Sequence, residues 1–455
     1  MALCLMSIGI TYNMLGGIST ISGILFSVFA LRTIVISQFA KVLLFEAADK
    51  NLEAPELTIS IYAAYYVSAM VGVFLFCRVR FRLPRPMETF TDGQRKVVYL
   101  VSLSVGAAAT VAIEIYSRSY GITEFNSTRS LGLAFAPLLM FSQVIAVDKR
   151  IHDSGGMHSM SMGALIPWAM ATMFGLMDTV RTTTMAPTIL YFLTCYFRGY
   201  RFKARHYLVV ASGLVLFVGF LSPFLLFARG EVADQSISQR LSAAFRILAE
   251  HHSPKELRDS VEVATASENG SREQYFSRPG TYLLSRLSLI RADSNVISAC
   301  ASGFHYGLAA VQIEIQRTIP SFLYKNKPRF EGAQDYIGHV SGMSGEGEEV
   351  SYPAISAVSD SFGSFGWPGV ILFPMICFPL SFIVWQSVFD MSKPWGTVAL
   401  VLGSLMFGEM MVTRFVPFVL RLPLVIILLS YLIAGVAGFI PVQGAHLEKL
   451  RTPLN

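Results

Sequence analysis

Apolar residues along this chain come in long uncharged runs, not in alternation or in narrow stripes. A bilayer core takes about 17–25 predominantly apolar residues of helix. Runs near that length recur at 9–31, 57–77, 97–116, 130–147, 162–178, 182–197, 207–228, 367–389, 394–413 and 422–441. They predict about ten membrane-spanning helices, the sixth being the shortest and starting beside Arg181. Between the seventh and eighth runs the pattern changes. Residues 229–366 are too polar to cross a membrane and too many for a simple connection, so they predict a partly helical segment folded over one membrane face. Within it, QRLSAAFRILAEHH spaces Leu241, Phe245 and Leu248 at i, i+4 and i+7, the pattern of an amphipathic helix ending near Pro254. YLLSRLSLIRADSNVISA and FHYGLAAVQIEIQ also read as helical. ELRDSVEVATASENGSREQ reads as a polar surface passage and SGMSGEGEEVS (341–351) as a loop. The expected organisation is helices one to seven in 1–228, a large external loop at 229–366, and helices eight to ten with a tail in 367–455.

Composition agrees with this all-α, polytopic class. The chain has 53% apolar and 15% charged residues, outside the range of soluble globular domains. Its first 31 residues carry no charge, so the basic n-region of a cleavable signal peptide is missing and a retained first span is expected. The connections 77–96, 148–153, 196–206 and 390–394 and the tail at 446–451 together hold fifteen lysines and arginines. The connections on the other side hold eight. Short basic connections stay cytoplasmic, which predicts cytoplasmic termini and an external 229–366. The net charge of +6 is then largely a topological signal and calls for no nucleic-acid partner.

Several chemistries are disfavoured. Of five cysteines, Cys300 alone falls in the large loop, so no disulfide is expected there. No zinc spacing, Walker loop or Gly-rich dinucleotide fingerprint occurs, so neither a metal nor a cofactor is expected. The chain also lacks an Asp-x-Asp pair of the kind that holds a metal-bound nucleoside diphosphate, which disfavours a cytoplasmic nucleotide substrate.

Ionisable groups at membrane spans are costly and often functional. In GLMDTVRTTTMAPTILYF, Arg181 either pairs with Asp178 to anchor a turn, or offers its planar donors to an anionic group such as phosphate. GEMMVTRFVPFVLRLPL carries Glu409, Arg414 and Arg421. Both arginines are expected near the external interface, where snorkelling is the ordinary role and ligand binding by Arg421 the functional one. Glu409 is expected in an ion pair with an arginine. In the loop, Arg286 and Arg291 fit a solvated helical face. His305, between Phe304 and Tyr306, is either a packed histidine or an acid–base group. In QRTIPSFLYKNKP, the cations Arg317, Lys325 and Lys327 surround the aromatic Phe322 and Tyr324. That composition suits a glycolipid head group, and equally an exposed turn.

Three of these stretches resemble the Wzy-type polymerases, the oligosaccharide repeat-unit polymerases of O-antigen and exopolysaccharide assembly. The likeness runs over about 165–440. DTVRTTTMAPTILYF with YFRGYRFKARH is similar to the family's arginine-led span and basic connection, although Asp178-Thr-Val stands where Gly-Ser is expected. RTIPSFLYKNKP is similar to its Pro/Lys segment late in the large loop, with Ser321 and Tyr324 at positions often held by arginine and tryptophan. SDSFGSFGWPGVILFPM has the form of its aromatic-Gly-x-x-Gly element leading into the next span.

The resemblance implies a GT-C-like membrane glycosyltransferase of the bacterial inner membrane, with its large loop periplasmic. It would move a growing glycan from undecaprenyl pyrophosphate onto the terminal sugar of a lipid-linked repeat unit. Its partners would be those lipid-linked oligosaccharides and membrane lipid, with a chain-length regulator and a flippase beside it. On this reading Arg181, Arg286 and Arg421 face the pyrophosphate, and Arg317 adds to the substrate site. Tyr324 and Lys327 edge the sugar site, and Asp360 or, second, His305 is the base. An exposed Asp360 opening its helix would also fit a plain N-cap. Two other readings stay open: a glycan ligase of the same architecture, and a lipid-linked oligosaccharide flippase or transporter. Flippases usually have two similar halves and short loops, and this chain shows neither an internal repeat nor short loops throughout.

Overall fold

The computed structural model describes residues 1–76, 83–87, 90–119, 127–177, 181–217, 275–277, 288–303, 355–407 and 415–439. A few single positions between them are also described, among them His305, Gly307 and Val412. Every regular element among the described residues is helical. In chain order these are α1 (Ala2–Met14), α2 (Ile21–Leu43), α3 (Pro55–Phe76), α4 (Asp92–Ser119), α5 (Ser127–Phe135), α6 (Pro137–Asp153) and α7 (Met162–Met177). They continue with α8 (Arg181–Phe197), α9 (Ala204–Leu216), α10 (Ile290–Cys300), α11 (Ala357–Val388), α12 (Pro394–Phe407) and α13 (Leu422–Phe439). Among the described residues six segments are long and apolar enough to cross a membrane: α2, α3, Asp92–Ile113, Leu131–Asp153, α11 and Pro417–Gly438. Three shorter apolar helices, α1, α7 and α12, stand beside them. The chain is a polytopic helical membrane protein.

Two elements depart from the uncharged runs. The run 9–31 does not form one helix. Gly16 (φ 88°) and Gly17 (φ 58°) adopt left-handed backbone that ends α1, and Thr20 restarts the chain by accepting the Gly23 N–H at 3.1 Å as the cap of α2. The helix expected from residue 367 begins ten residues earlier, at Ala357. It is capped by Ser356, whose Oγ accepts the Val358 N–H at 3.1 Å, and it kinks at Gly366 (φ 64°, ψ −147°). An uncharged run measures apolarity and says nothing of helical continuity, so both features were invisible to it. The run 182–197 is α8, and 207–228 is described as α9 only as far as Leu216.

An aromatic core joins the N-terminal and C-terminal helices. α2 and α11 run antiparallel: Ser22 Oγ donates to the Phe382 carbonyl at 3.1 Å, and Phe29 and Phe378 meet edge to face at 5.1 Å. On α3, Gly72 lets the backbone approach so closely that a Cβ would collide with the Met375 carbonyl. Such small-residue contacts are how helices associate in lipid, where no hydrophobic force pulls them together. Trp385 stacks on Phe418 at 4.6 Å and Trp395 on Phe141 at 3.8 Å, which ties α11 to the start of the last span and α12 to α6.

The connection 44–54 and the loop residues 275–277 meet at one end of this core, next to α10. Away from them, Arg85 Nε donates to the Ser387 carbonyl at 3.3 Å, and the Met87 N–H to Ser430 Oγ at 3.0 Å. Asp148 pairs with Arg198 at 2.6 Å. Asp148 and Arg198 come from two different connections, whereas Ser387 and Ser430 belong to α11 and α13.

Candidate functional site

Ile290, Asp293, Ser294 and Ile297 lie at i, i+3, i+4 and i+7 of α10, and all four are buried. This stripe presses the loop helix onto the starts of α3 and α11. Asp293 sits at the centre. Its Oδ1 accepts the Ser356 N–H at 2.8 Å and Ser359 Oγ at 2.6 Å. Its Oδ2 accepts Ser356 Oγ at 2.6 Å and the Tyr62 hydroxyl. Burial pushes the Asp293 carboxyl above the usual aspartate range, against the pull of Ser356, Ser359 and Tyr62. Ser294 Oγ accepts the N–H groups of Glu53 and Ala54, at 3.0 and 3.3 Å, so it satisfies donors that the start of α3 leaves open. These two side chains fasten the large loop to two membrane helices.

A second tie lies beside the first. Lys41 is 1% exposed, pairs with Glu46 at 2.9 Å, donates to the Lys50 carbonyl at 3.1 Å and lies 4.2 Å from the Tyr275 ring centroid. Burial alone would raise the Glu46 carboxyl, but the Lys41 ammonium and the Ser277 N–H outweigh it and hold the group below the usual glutamate range. Arg291 donates to the Asn51 carbonyl and pairs with Glu53 at 2.8 Å. The solvated face expected for Arg291 is therefore an ion pair that clamps α10 to the first connection.

The two expected bases lie along the first part of α11, up to its kink at Gly366. Asp360 is fully buried in the first turn of α11, and its Oδ2 accepts the Val412 N–H at 2.6 Å. It is neither the exposed residue expected at the mouth of the span nor the N-cap, which is Ser356. The helix starts earlier than the apolar run and carries Asp360 inward. His305 is exposed. Its ring meets Phe362 edge to face at 5.7 Å, and Nε2 lies 3.1 Å from where a Cβ on Gly366 would stand. The Gly307 N–H donates to the Ser364 carbonyl at 2.9 Å and holds this strip of loop on the helix. The two enclosed carboxyls, Asp293 and Asp360, both accept backbone N–H groups from neighbouring segments.

Arg421 is exposed in the π-turn Pro417–Arg421 that leads into α13. Arg181 is the first residue of α8, and its side chain lies outside the described residues, as do Asp178, Arg286, Arg317, Tyr324, Lys327, Glu409 and Arg414. The structure therefore sets His305 against Phe362 and Gly366 at the kink, holds Asp360 six residues earlier on the Val412 N–H, and leaves Arg421 exposed; the other expected site residues lie outside the described side chains. Asp293, Lys41 and Glu46 were not singled out in the sequence. Asp293 had a legible signal: an acidic residue at i+3 of an apolar stripe, where burial needs partners. Comparison with known proteins gives no match: no family model, curated protein or solved structure is similar to this chain.

Proposed function

We propose that the chain is a membrane glycosyltransferase that polymerises lipid-linked oligosaccharide repeat units at the outer face of a bacterial inner membrane. The observation that carries this reading is His305. An exposed imidazole from the large polar loop is seated on the kink of a membrane helix, within the aromatic-Gly-x-x-Gly element SDSFGSFGWPG. The reaction asks for little else. The acceptor sugar hydroxyl attacks the anomeric carbon of the growing glycan, the base takes the hydroxyl proton, and the bond to undecaprenyl pyrophosphate breaks. The departing pyrophosphate needs cations, and the acceptor needs a base.

His305 is the base in this scheme, and Asp360 supports the helix turn that carries its seat. Arg421, exposed where the last span begins, is placed on the pyrophosphate with Arg181 and Arg286. Arg317, Tyr324 and Lys327 edge the sugar site. The chain crosses the membrane about ten times, with cytoplasmic termini and a periplasmic loop.

Deleting the gene and running surface glycan on a gel tests the reading. Polymerase activity predicts loss of long chains while single repeat units persist. Absence of externally exposed lipid-linked units would instead assign the chain to flipping. An Arg181→Lys variant keeps the charge and loses the two-pronged fork, so undiminished chain length there removes Arg181 from the pyrophosphate.

A further inference from the structure

Away from Asp293, a cleft of about 240 Å³ opens between the start of α4, the end of α6 and the start of α7. Its lining brings Arg95, Lys96, Lys149 and Arg150 together from two helices, with Asp153 as the one carboxylate. Arg95 leans toward Asp92 at 3.9 Å, the outer limit of an ion pair, and Asp92 is 93% exposed, so solvent screens the contact. Lys96, Lys149 and Arg150 have no ion pair among the described residues. The nearby Arg198, by contrast, is held by Asp148 at 2.6 Å. Tyr99 lines the same cleft and donates its hydroxyl to the Gly163 carbonyl at 3.0 Å, fixing α4 to α7 beneath the cations.

Two ordinary explanations account for some of this charge. Basic residues favour one side of a membrane, and Lys149 and Arg150 complement the carbonyl end of α6. Neither explains why cations of α4 converge with those of α6 around a cavity. Next along the same helices stand exposed apolar side chains: Leu100, four residues after the lining Lys96, and Ile166, three residues after the lining Gly163. A free phosphate would use only the cations, whereas a phospholipid would use both, its phosphate among the cations and its acyl chains along the apolar flank. Basic pockets between membrane helices hold anionic head groups in this way. We infer that this cleft is a binding site for the phosphate of an anionic phospholipid, independent of the glycosyl-transfer reading.

Native mass spectrometry of the purified full-length protein in neutral detergent tests the inference, with phosphatidylglycerol and phosphatidylcholine of equal chain length offered in parallel. The expected result is retention of phosphatidylglycerol over phosphatidylcholine, with the preference falling by about tenfold or more in a Lys149→Gln/Arg150→Gln variant. A Lys203→Gln/Lys393→Gln variant, which removes two exposed cations outside the cleft, should keep it. The melting temperature in lipid-free detergent checks the fold, and Lys96→Gln serves if the double variant is unstable. Undiminished preference in the cleft variants overturns the site. Equal loss in both double variants assigns the effect to diffuse charge and overturns it as well. Displacement of bound anion by millimolar inorganic phosphate, with no preference for phosphatidylglycerol, assigns the cations to free phosphate and overturns the lipid.

Discussion

Ser356 grips Asp293 twice, its backbone N–H donating to Oδ1 at 2.8 Å and its Oγ to Oδ2 at 2.6 Å, while the same Oγ caps α11 through the Val358 N–H. One residue thus starts a membrane helix and anchors the loop helix that lies across it. The Tyr62 hydroxyl closes the arrangement from α3. The end of the bundle that meets the large loop is held by a buried acid, where α11 and the start of the last span are held by the stacking of Trp385 on Phe418.

Asp293→Asn keeps the shape but turns an amide donor toward groups that already donate. Leaving one buried donor unsatisfied costs about 2 kcal/mol, so the melting temperature in detergent should fall. The pH dependence has a definite sign. Because burial raises the folded carboxyl above its ordinary value of 3.8, the folded state holds the proton more tightly than the unfolded chain. The contribution of Asp293 is greatest below that ordinary value and declines as pH rises toward the raised one. Melting temperatures recorded across the acidic range should show this decline in the wild type and not in Asp293→Asn. The same slope in both would exclude Asp293 as its source.

Glu46 has the opposite sign. Its folded carboxyl lies below the ordinary 4.5, so its stabilisation is complete above that value and is lost as pH falls through the lowered one. Glu46→Gln should therefore flatten the acid limb that Asp293→Asn leaves in place. Lys41→Met removes the partner of a nearly buried pair, a loss of about 3 kcal/mol or more. The accompanying loss of the Tyr275 contact should expose 275–277 to limited proteolysis. Unchanged cleavage there would mean that the Lys41 pair does not hold the loop.

The helical membrane class was plain in the sequence because length and apolarity decide it, but Arg32 and Lys41, counted there as cations of a connection, lie within the span Ile21–Leu43, and the connection that meets Arg291 through Asn51 and Glu53 begins only after it. Breaks inside apolar runs were not legible. Gly16 and Gly17 end a helix without adding any charge, and Gly366-Trp-Pro reads as the start of a span although it is a kink nine residues inside one. The exposure expected of Asp360 was reversed for the same reason. Ser356, not Asp360, opens α11, and Asp360, one turn on, is buried. Contacts such as Asp293 with Tyr62 join residues 231 positions apart, and periodicity marks only that such an acid is buried, not what meets it.

The kink separates the two bases by experiment. Gly366 holds φ 64° and ψ −147°, a conformation that costs a residue with a side chain about 1–3 kcal/mol. A Cβ there would also stand 3.1 Å from His305 Nε2. The His305 side chain is exposed and can swing away, so Gly366→Ala should still assemble in the membrane but displace the imidazole and shorten the glycan ladder. His305→Gln introduces no strain and should leave membrane levels unchanged while abolishing elongation. Asp360→Asn disturbs a buried acceptor of the Val412 N–H and should lower the amount of protein in the membrane more than the chain length made per molecule. Immunoblotting of membranes alongside glycan gels reads both quantities. A normal ladder from His305→Gln, with none from Asp360→Asn at wild-type protein level, would transfer the base to Asp360, in which case α11 must open at its first turn during the reaction.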